Sequence, residues 1–143
     1  MQPAVHLIGV WRLLSAKIEF TDTGELADMY GPRPSGFLIL TGSGRMMAIV
    51  TAHDRAPPET QSDRAALFDD MMAYTGNYRI EDDKFVTSVD VAWHPVWNGT
   101  DQPRFFQLEG DVLTITTPEQ THPKYGNRPV RGVLVWHRSL EST

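Results

Sequence analysis

Short segments in which apolar and polar residues alternate are the feature that most constrains how this chain can fold. A period of two is typical of β-strands that are buried on one face. Turn-forming clusters such as Thr21–Glu25 and Gly42–Gly44 interrupt these segments at hairpin-sized intervals. The pattern predicts about eight strands, at Leu7–Phe20, Phe37–Thr41, Arg45–Ala52, Asn77–Ile80, Lys84–Trp93, Gln102–Leu108, Val112–Thr117 and Val130–Arg138.

One segment, residues 57–76, breaks this period. Two prolines end the strand before it, Thr60 or Ser62 can cap a helix, and Gly76 ends the segment. Its apolar residues recur at the spacing of one helix face, as shown by Leu67, Met71 and Tyr74. The chain is therefore expected to contain one α-helix, inserted after the third strand.

The short links between strands imply an antiparallel meander. A meander has two exposed edges, and closure into a barrel removes both of them. We therefore expect an all-β fold, an up-and-down antiparallel barrel of about eight strands, formed by residues 1–143 as a single domain. A barrel of this size either fills with side chains or holds one small ligand.

Composition and charge restrict the partners of such a barrel. The formal net charge is −5, and no basic patch suited to nucleic acid is present. No apolar run approaches the roughly 18 residues of a membrane helix, and the start of the chain lacks a signal-peptide pattern. The absence of cysteine fits a reducing compartment. We expect a cytoplasmic protein that binds neither nucleic acid nor membrane.

Metal and cofactor chemistry is not indicated by any motif. The 5 histidines do not have the spacing typical of local metal pairs. No Walker or dinucleotide-binding fingerprint appears in the chain. We therefore expect neither a metal nor a cofactor.

Two motifs near the ends of the chain are similar to those of a known family. Gly9–Trp11 opens the first predicted strand, and Trp136–Arg138 ends the last. A Gly-x-Trp opening and a closing arginine resemble the lipocalin pattern, in which the guanidinium lies across the indole at the closed end of the barrel. A planar cation on an aromatic face is a favourable contact and keeps spare donors for carbonyl groups.

Longer blocks extend the resemblance over nearly the whole chain. In order, they are LIGVWRLLS, SGFLILTGSGRM, YTGNYRI, NGTDQPRFFQLEGDVLTITTP and VLVWHR. They look like the recurring blocks of the small bacterial lipocalin-like domain family, which implies a calycin-type barrel with a pocket and no defined reaction. The chain departs from the family pattern at Leu40, where an aromatic residue is frequent, and at Ser88, where a histidine is frequent. Cavity chemistry based on that histidine is therefore not expected here.

Alternation within the strands predicts which side chains face the interior. On the strand around Arg104, the polar residues Gln107 and Glu109 assign their face to solvent, which places Arg104 inside beside Phe106. A buried guanidinium is costly unless it is paired. Arg104 should therefore meet a carboxylate, backbone carbonyls or an anionic ligand, unless it reaches solvent near the strand end.

Two orientations are open for the strand that contains Asp90. Simple alternation places Asp90 and His94 outside and Trp93 inside. The reverse facing would place Ser88 and Asp90 inside and give Arg104 a partner on the neighbouring strand.

Two further regions carry functional expectations. The hairpin Phe37–Ala52 is apolar on both faces, so its outer face should be covered by the helix or by a second protomer. Together with the outward Phe105, it predicts a homodimer. The loop containing Trp97 joins two strands at one rim, where the indole could pack as a plug or close as a lid over the mouth.

The sequence thus favours a lipocalin-like protein that binds a small, largely apolar molecule, neutral or anionic, in the barrel cavity. The predicted ligand-binding residues face inward or lie at the rim: Met46, Tyr78, Trp93, Trp97, Gln102, Arg104, Phe106 and Trp136.

Two other functions are left open by the sequence. The first is a cavity enzyme that isomerises, cyclises or hydrates a small metabolite. Its acid or base would be Asp90, His53 or Tyr78. Arg104 would stabilise the developing charge. The second is an oligomeric interaction module with a filled barrel and no ligand.

Overall fold

The computed structural model describes residues 4–139, which form a single antiparallel sheet closed into a barrel. The helices are α1 (Ala4–Leu7) and α2 (Gln61–Asp69), and two 3-10 helices cover Pro95–Trp97 and Pro123–Tyr125. The strands are β1 (Gly9–Phe20), β2 (Glu25–Asp28), β3 (Ser35–Leu40), β4 (Arg45–Thr51), β5 (Met71–Glu81), β6 (Lys84–Ala92), β7 (Asp101–Glu109), β8 (Val112–Thr116), β9 (Gln120–Thr121) and β10 (Pro129–Arg138).

The barrel closes through pairing of β1 with β10, the first and last strands. Neighbouring strands follow the order β1-β3-β4-β5-β6-β7-β8-β10, while the short β2 and β9 pair with parts of β1 and β10. The register runs from Trp11 opposite Arg138 to Phe20 opposite Val130, with one irregularity after Leu13. The all-β antiparallel barrel expected from the sequence is confirmed. None of the helices in the described residues is long and apolar enough to cross a membrane.

The helix prediction holds for its start and fails for its end and its place in the strand order. Thr60 caps α2 with a reciprocal capping box to Asp63. The helix ends at Asp69, and Tyr74 and Gly76 belong to β5. Because the sequence did not reveal β2, α2 follows the fourth strand instead of the third.

A physical reason for this failure is visible in β5. Tyr74 is 5% exposed inside the barrel, whereas α2 has no buried residue. A Cβ on Gly76 would lie 2.0 Å from the carbonyl oxygen of Ser88, so this glycine permits close approach of β6. Burial and pairing of β5 in the barrel therefore override the helical spacing of its side chains.

The two ends of the barrel differ. At one end, Trp11 is fully buried and donates from Nε1 to the carbonyl oxygen of Leu7 over 2.9 Å, with Arg138 packed on its ring. We call this the closed end; it also contains the β3–β4, β5–β6 and β7–β8 turns. The other end, which we call the open end, contains α2 and the loops 29–34, 93–100 and 117–128.

A β-bulge in β6 changes the facing that simple alternation predicts. Thr75 and Gly76 of β5 pair with Val91 and Val89, so that Asp90 is the extra residue. Beyond the bulge, Val91 is 62% exposed, although simple alternation places it on the same interior face as Trp93. The alternative in which Ser88 and Asp90 face the interior is wrong, because both are exposed.

Candidate ligand-binding site

An apolar cavity of about 200 Å³ extends from the barrel interior to the open end. Its inner wall is formed by Leu38, Met46, Ala48, Phe85, Leu134 and Trp136. The small residues Ala48 and Gly132 also line the cavity. An apolar cavity of about 150 Å³ is large enough to bind benzene, so this one matches a single substituted ring or an aliphatic molecule of similar size.

Arg104 brings a positive charge into this apolar wall. It is half-buried on β7 while its neighbours Phe105 and Gln107 are exposed, so it faces inward as the alternation predicts. Its Nη1 donates to the carbonyl oxygen of Pro103 over 2.8 Å. In residues 4–139 no carboxylate lies within ion-pair distance of Arg104. The rest of its donor capacity is therefore unused by the described protein.

Trp97 forms the aromatic rim above Arg104. It sits on the 3-10 helix Pro95–Trp97, and its ring centroid lies 5.0 Å from that of Tyr74 and 5.2 Å from that of Trp93. The Cζ of Arg104 lies 5.8 Å from the Trp97 ring centroid. Trp93 donates from Nε1 to the carbonyl oxygen of Phe68 over 3.2 Å, which ties α2 to this rim. The loop around Trp97 is therefore both a hairpin end and a cavity edge.

Tyr30 separates the cavity from an outer groove at the open end. Its backbone has a φ of 66°, in the left-handed region that non-glycine residues rarely occupy. The carbonyl oxygen of Tyr30 accepts from the backbone N–H of His53 over 3.2 Å. Burial raises the pKa of Tyr30 to about 12, with the nearby charge of Arg104 acting in the opposite direction. The phenol therefore remains protonated at neutral pH.

The outer groove adjoins the cavity and is more polar. Ile18, Met29, Tyr30 and Gln120 line both spaces. Several polar side chains also line the groove, including His53, His122, Lys124, Asp28 and Asp70. These groups do not form a metal site, since the described part of the chain contains no suitable cluster of three or more His, Cys, Asp or Glu residues.

The structure brings five of the predicted ligand-binding residues together in the cavity wall: Met46, Trp93, Trp97, Arg104 and Trp136. The other three lie elsewhere in the interior. Tyr78 donates from its hydroxyl to the carbonyl oxygen of Thr41 over 3.0 Å, near the closed end. Phe106 packs on Phe85, with ring centroids 6.2 Å apart. Gln102 donates from Nε2 to Thr100 Oγ1 over 2.9 Å.

The three acid–base candidates proposed beside Arg104 lie away from the cavity wall. Asp90 is on the outer surface, where hydrogen bonds from Arg45 at 3.0 and 2.9 Å lower the pKa of its carboxyl group. His53 lies in the outer groove, 2.9 Å from Asp54. Tyr78 lies near the closed end, as described above. Of the four candidates, Arg104 alone lines the cavity.

Several residues that line the cavity were not predicted from the sequence. Met29 and Tyr30 lie in a loop, and Met72 and Tyr74 lie in the segment that had been assigned to a helix. The loop sequence YGPRPSG carried one usable signal, since a tyrosine followed by glycine and prolines indicates a constrained backbone. Alternation cannot assign the facing of residues outside strands.

Comparison with known families matches the chain to the lipocalin-like domain over residues 8–139. The chain belongs to this lipocalin-like domain family. A search of curated proteins gave no match. The end motifs that suggested this family lie on the first and last strands of the lipocalin-like barrel: Gly9 and Trp11 open β1, and Arg138 ends β10. Its cavity provides the pocket that the resemblance implied.

Proposed function

We propose that this lipocalin-like domain binds one small, largely apolar molecule that carries an anionic group, and that Arg104 anchors that group. The observation that carries the proposal is a half-buried guanidinium in an apolar cavity wall, with no carboxylate partner in the described residues. A charge in such a place is costly unless a partner neutralises it. A bound anion would supply this partner through charge-assisted hydrogen bonds.

The walls of the cavity support an aromatic or compact aliphatic body for this ligand. The cavity volume of about 200 Å³ limits the body to roughly one ring with substituents. Trp93 and Trp97 provide ring faces and edges at the rim, where an aromatic ligand could make offset or edge-to-face contacts. The cavity also argues for ligand binding over the filled-barrel alternative.

The test combines identification of a natural ligand with defined probes. Native mass spectrometry of the purified protein should detect a co-purifying small acid. Isothermal titration calorimetry should then show binding of benzoate or phenylacetate, and Arg104→Met should weaken it by at least about 10-fold, as expected for loss of a buried charge-assisted contact.

Arg45→Met serves as the matched control because Arg45 is on the outer surface, where it pairs with Asp90. It removes a charge of the same kind without altering the cavity, so benzoate affinity should not change. Absence of binding for every small aromatic and aliphatic acid tried, with no co-purifying acid, would refute the proposed function.

We also propose that the domain forms a homodimer through the outer face of the β3–β4 hairpin. Ile39, Met47 and Ile49 are 37%, 50% and 42% exposed on this face. The register places Met47 opposite Ile39 and Ile49 opposite Phe37, so the apolar side chains are contiguous. A second copy of the chain would remove this surface from water.

A cytoplasmic location is the remaining part of the proposal. The chain contains no cysteine, which fits a compartment where disulfides do not form. Fractionation of cells that express the protein from its own gene tests this, and recovery outside the cytoplasm would contradict it.

A further inference from the structure

Two tyrosine side chains line the same cavity as Arg104 and have unused hydroxyl groups. Tyr30 follows β2, and Tyr74 lies on β5. Within the described residues, neither hydroxyl has a hydrogen-bond partner. A phenol O–H in a cavity wall without a protein acceptor is a donor that a ligand can use.

Contacts with one indole place Tyr74 and Arg104 close together. The ring of Tyr74 lies 5.0 Å from the ring of Trp97 at a steep angle of 61°, and the Arg104 Cζ lies 5.8 Å from the same ring. Tyr30 is close enough to both Tyr74 and Arg104 for each to influence its pKa. The guanidinium and the two phenols therefore belong to one region of the cavity beneath the rim.

The backbone of Tyr30 supports a functional role for its position. A non-glycine residue at a φ of 66° is strained, and such strain persists only where the surrounding structure holds it. Here the following residue, Gly31, also has a positive φ of 82°, and the Tyr30 carbonyl oxygen is hydrogen-bonded to His53. This arrangement places Tyr30 at the junction of cavity and groove, where it lines both spaces.

The chemistry of these donors selects among anions. A guanidinium and two phenols offer hydrogen bonds from three side chains, which a carboxylate can accept on its two oxygens. A phenolate has one oxygen and can satisfy fewer of them. Asp70 also faces Tyr30, but its carboxylate is paired with Arg55 at 3.0 Å.

We propose that Tyr30 and Tyr74 are specificity-determining residues that, with Arg104, bind the carboxylate of a small apolar or aromatic monocarboxylic acid. This rests on the proposed function, because it assumes that Arg104 binds an anion in the cavity. It adds the class of that anion and the two hydroxyl groups that recognise it.

The test compares benzoate with benzamide, its neutral isostere, by isothermal titration calorimetry. Tyr30→Phe and Tyr74→Phe each keep the ring and remove the donor. Each should weaken benzoate binding by about 10-fold, the size expected for loss of one hydrogen bond to a charged group. Benzamide affinity should fall less than benzoate affinity in either variant, because a neutral hydrogen bond is weaker than a charge-assisted one.

Tyr78→Phe is the matched control. Tyr78 is also an interior tyrosine, but its hydroxyl is bonded to the Thr41 carbonyl oxygen near the closed end. This variant should leave benzoate binding unchanged.

A spectroscopic readout separates recognition of the carboxylate from a change in packing. The carboxylate stretching frequency of isotope-labelled benzoate should shift on binding, and each cavity Tyr→Phe variant should reduce that shift.

The outcomes distinguish the two levels of the proposal. If Arg104→Met weakens benzoate binding and both cavity Tyr→Phe variants bind as well as the unaltered protein, the assignment of Tyr30 and Tyr74 to carboxylate binding is wrong. The proposed anion-binding function of Arg104 then stands. If the unaltered protein binds a phenolate more tightly than benzoate, the assignment of the two tyrosines to carboxylate binding is also wrong. If it binds no acid, both proposals fail.

Discussion

The guanidinium of Arg138 lies 4.2 Å from the ring centroid of the buried Trp11, at the end of the barrel opposite the cavity mouth. Arg138 also donates from Nη2 to the carbonyl oxygen of His6 over 2.8 Å and from Nη1 to that of Ile8 over 3.0 Å. Its Nε donates to Asp111 over 3.1 Å. One side chain of the last strand thereby joins the first strand, the segment before it and the β7–β8 turn.

Replacement of either residue of this pair should destabilise the fold. Arg138→Met and Trp11→Leu should each lower the free energy of unfolding by roughly 1–3 kcal/mol, through lost packing and carbonyl groups left without donors. The double variant should cost less than the sum of the single variants, because each removes the same contact. Urea melts of the four proteins test this, and strict additivity would contradict the stacking contact.

Arg104 should behave differently from Arg138 in the ligand-free protein. Its guanidinium has no carboxylate partner in the described residues, so Arg104→Met removes a half-buried charge and keeps most of the side-chain volume. The free energy of unfolding should stay within about 1 kcal/mol of the unaltered value or rise. Thermal melts without ligand measure this.

Asp90→Asn offers a further check on the partner of Arg104. Asp90 pairs with Arg45 on the outer surface, so its replacement should not alter the effect of Arg104→Met. A large destabilisation by Arg104→Met that Asp90→Asn restores would show that the two side chains interact.

Alkaline pH should reveal the burial of Tyr30. Its pKa is raised to about 12 in the folded protein, whereas an unfolded tyrosine titrates near 10. A raised folded pKa contributes stability below the unfolded value, and this contribution is lost as pH rises from about 10 to about 12. Tyr30→Phe should reduce the alkaline loss by about 3 kcal/mol. Urea melts at pH values across this range test it, and identical slopes for both proteins would contradict the shift.

Self-association should depend on the outer face of the β3–β4 hairpin. Met47→Lys places a charge in the centre of this exposed apolar surface, so the variant should sediment as a monomer while the unaltered protein sediments as a dimer at about 100 μM. Leu26→Lys, at an exposed apolar position on β2, is the control and should remain dimeric. A clean monomer for the unaltered protein would end the dimer proposal.

Local patterns in the sequence were sufficient for much of the fold. Alternation identified the barrel strands because inward and outward positions differ in solvent contact, and this difference acts residue by residue. It also assigned Arg104 to the interior from the polarity of Gln107 and Glu109. The Gly9–Trp11 motif and the last-strand Arg138 predicted the contact between arginine and indole through their resemblance to the lipocalin pattern.

The same rules failed wherever pairing between distant segments decided the outcome. Val91 faces solvent because a bulge opposite Thr75 and Gly76 shifts the alternation in β6, and no local pattern encodes that bulge. Tyr74 is part of β5 because its burial in the barrel outweighs a helical spacing. The facing of Val91 and the strand conformation of Tyr74 both depend on which neighbouring strand pairs with the segment.

The sequence by itself therefore determined the barrel, its closure and the charge that faces its interior. The tertiary structure alone decided which side chains surround that charge. Tyr30 reaches the cavity through a left-handed backbone in a loop, and Trp97 reaches it through a 3-10 helix at the rim. Loop conformations of this kind depend on contacts with segments far along the chain, so the geometry of the cavity rim exists only once the barrel has closed.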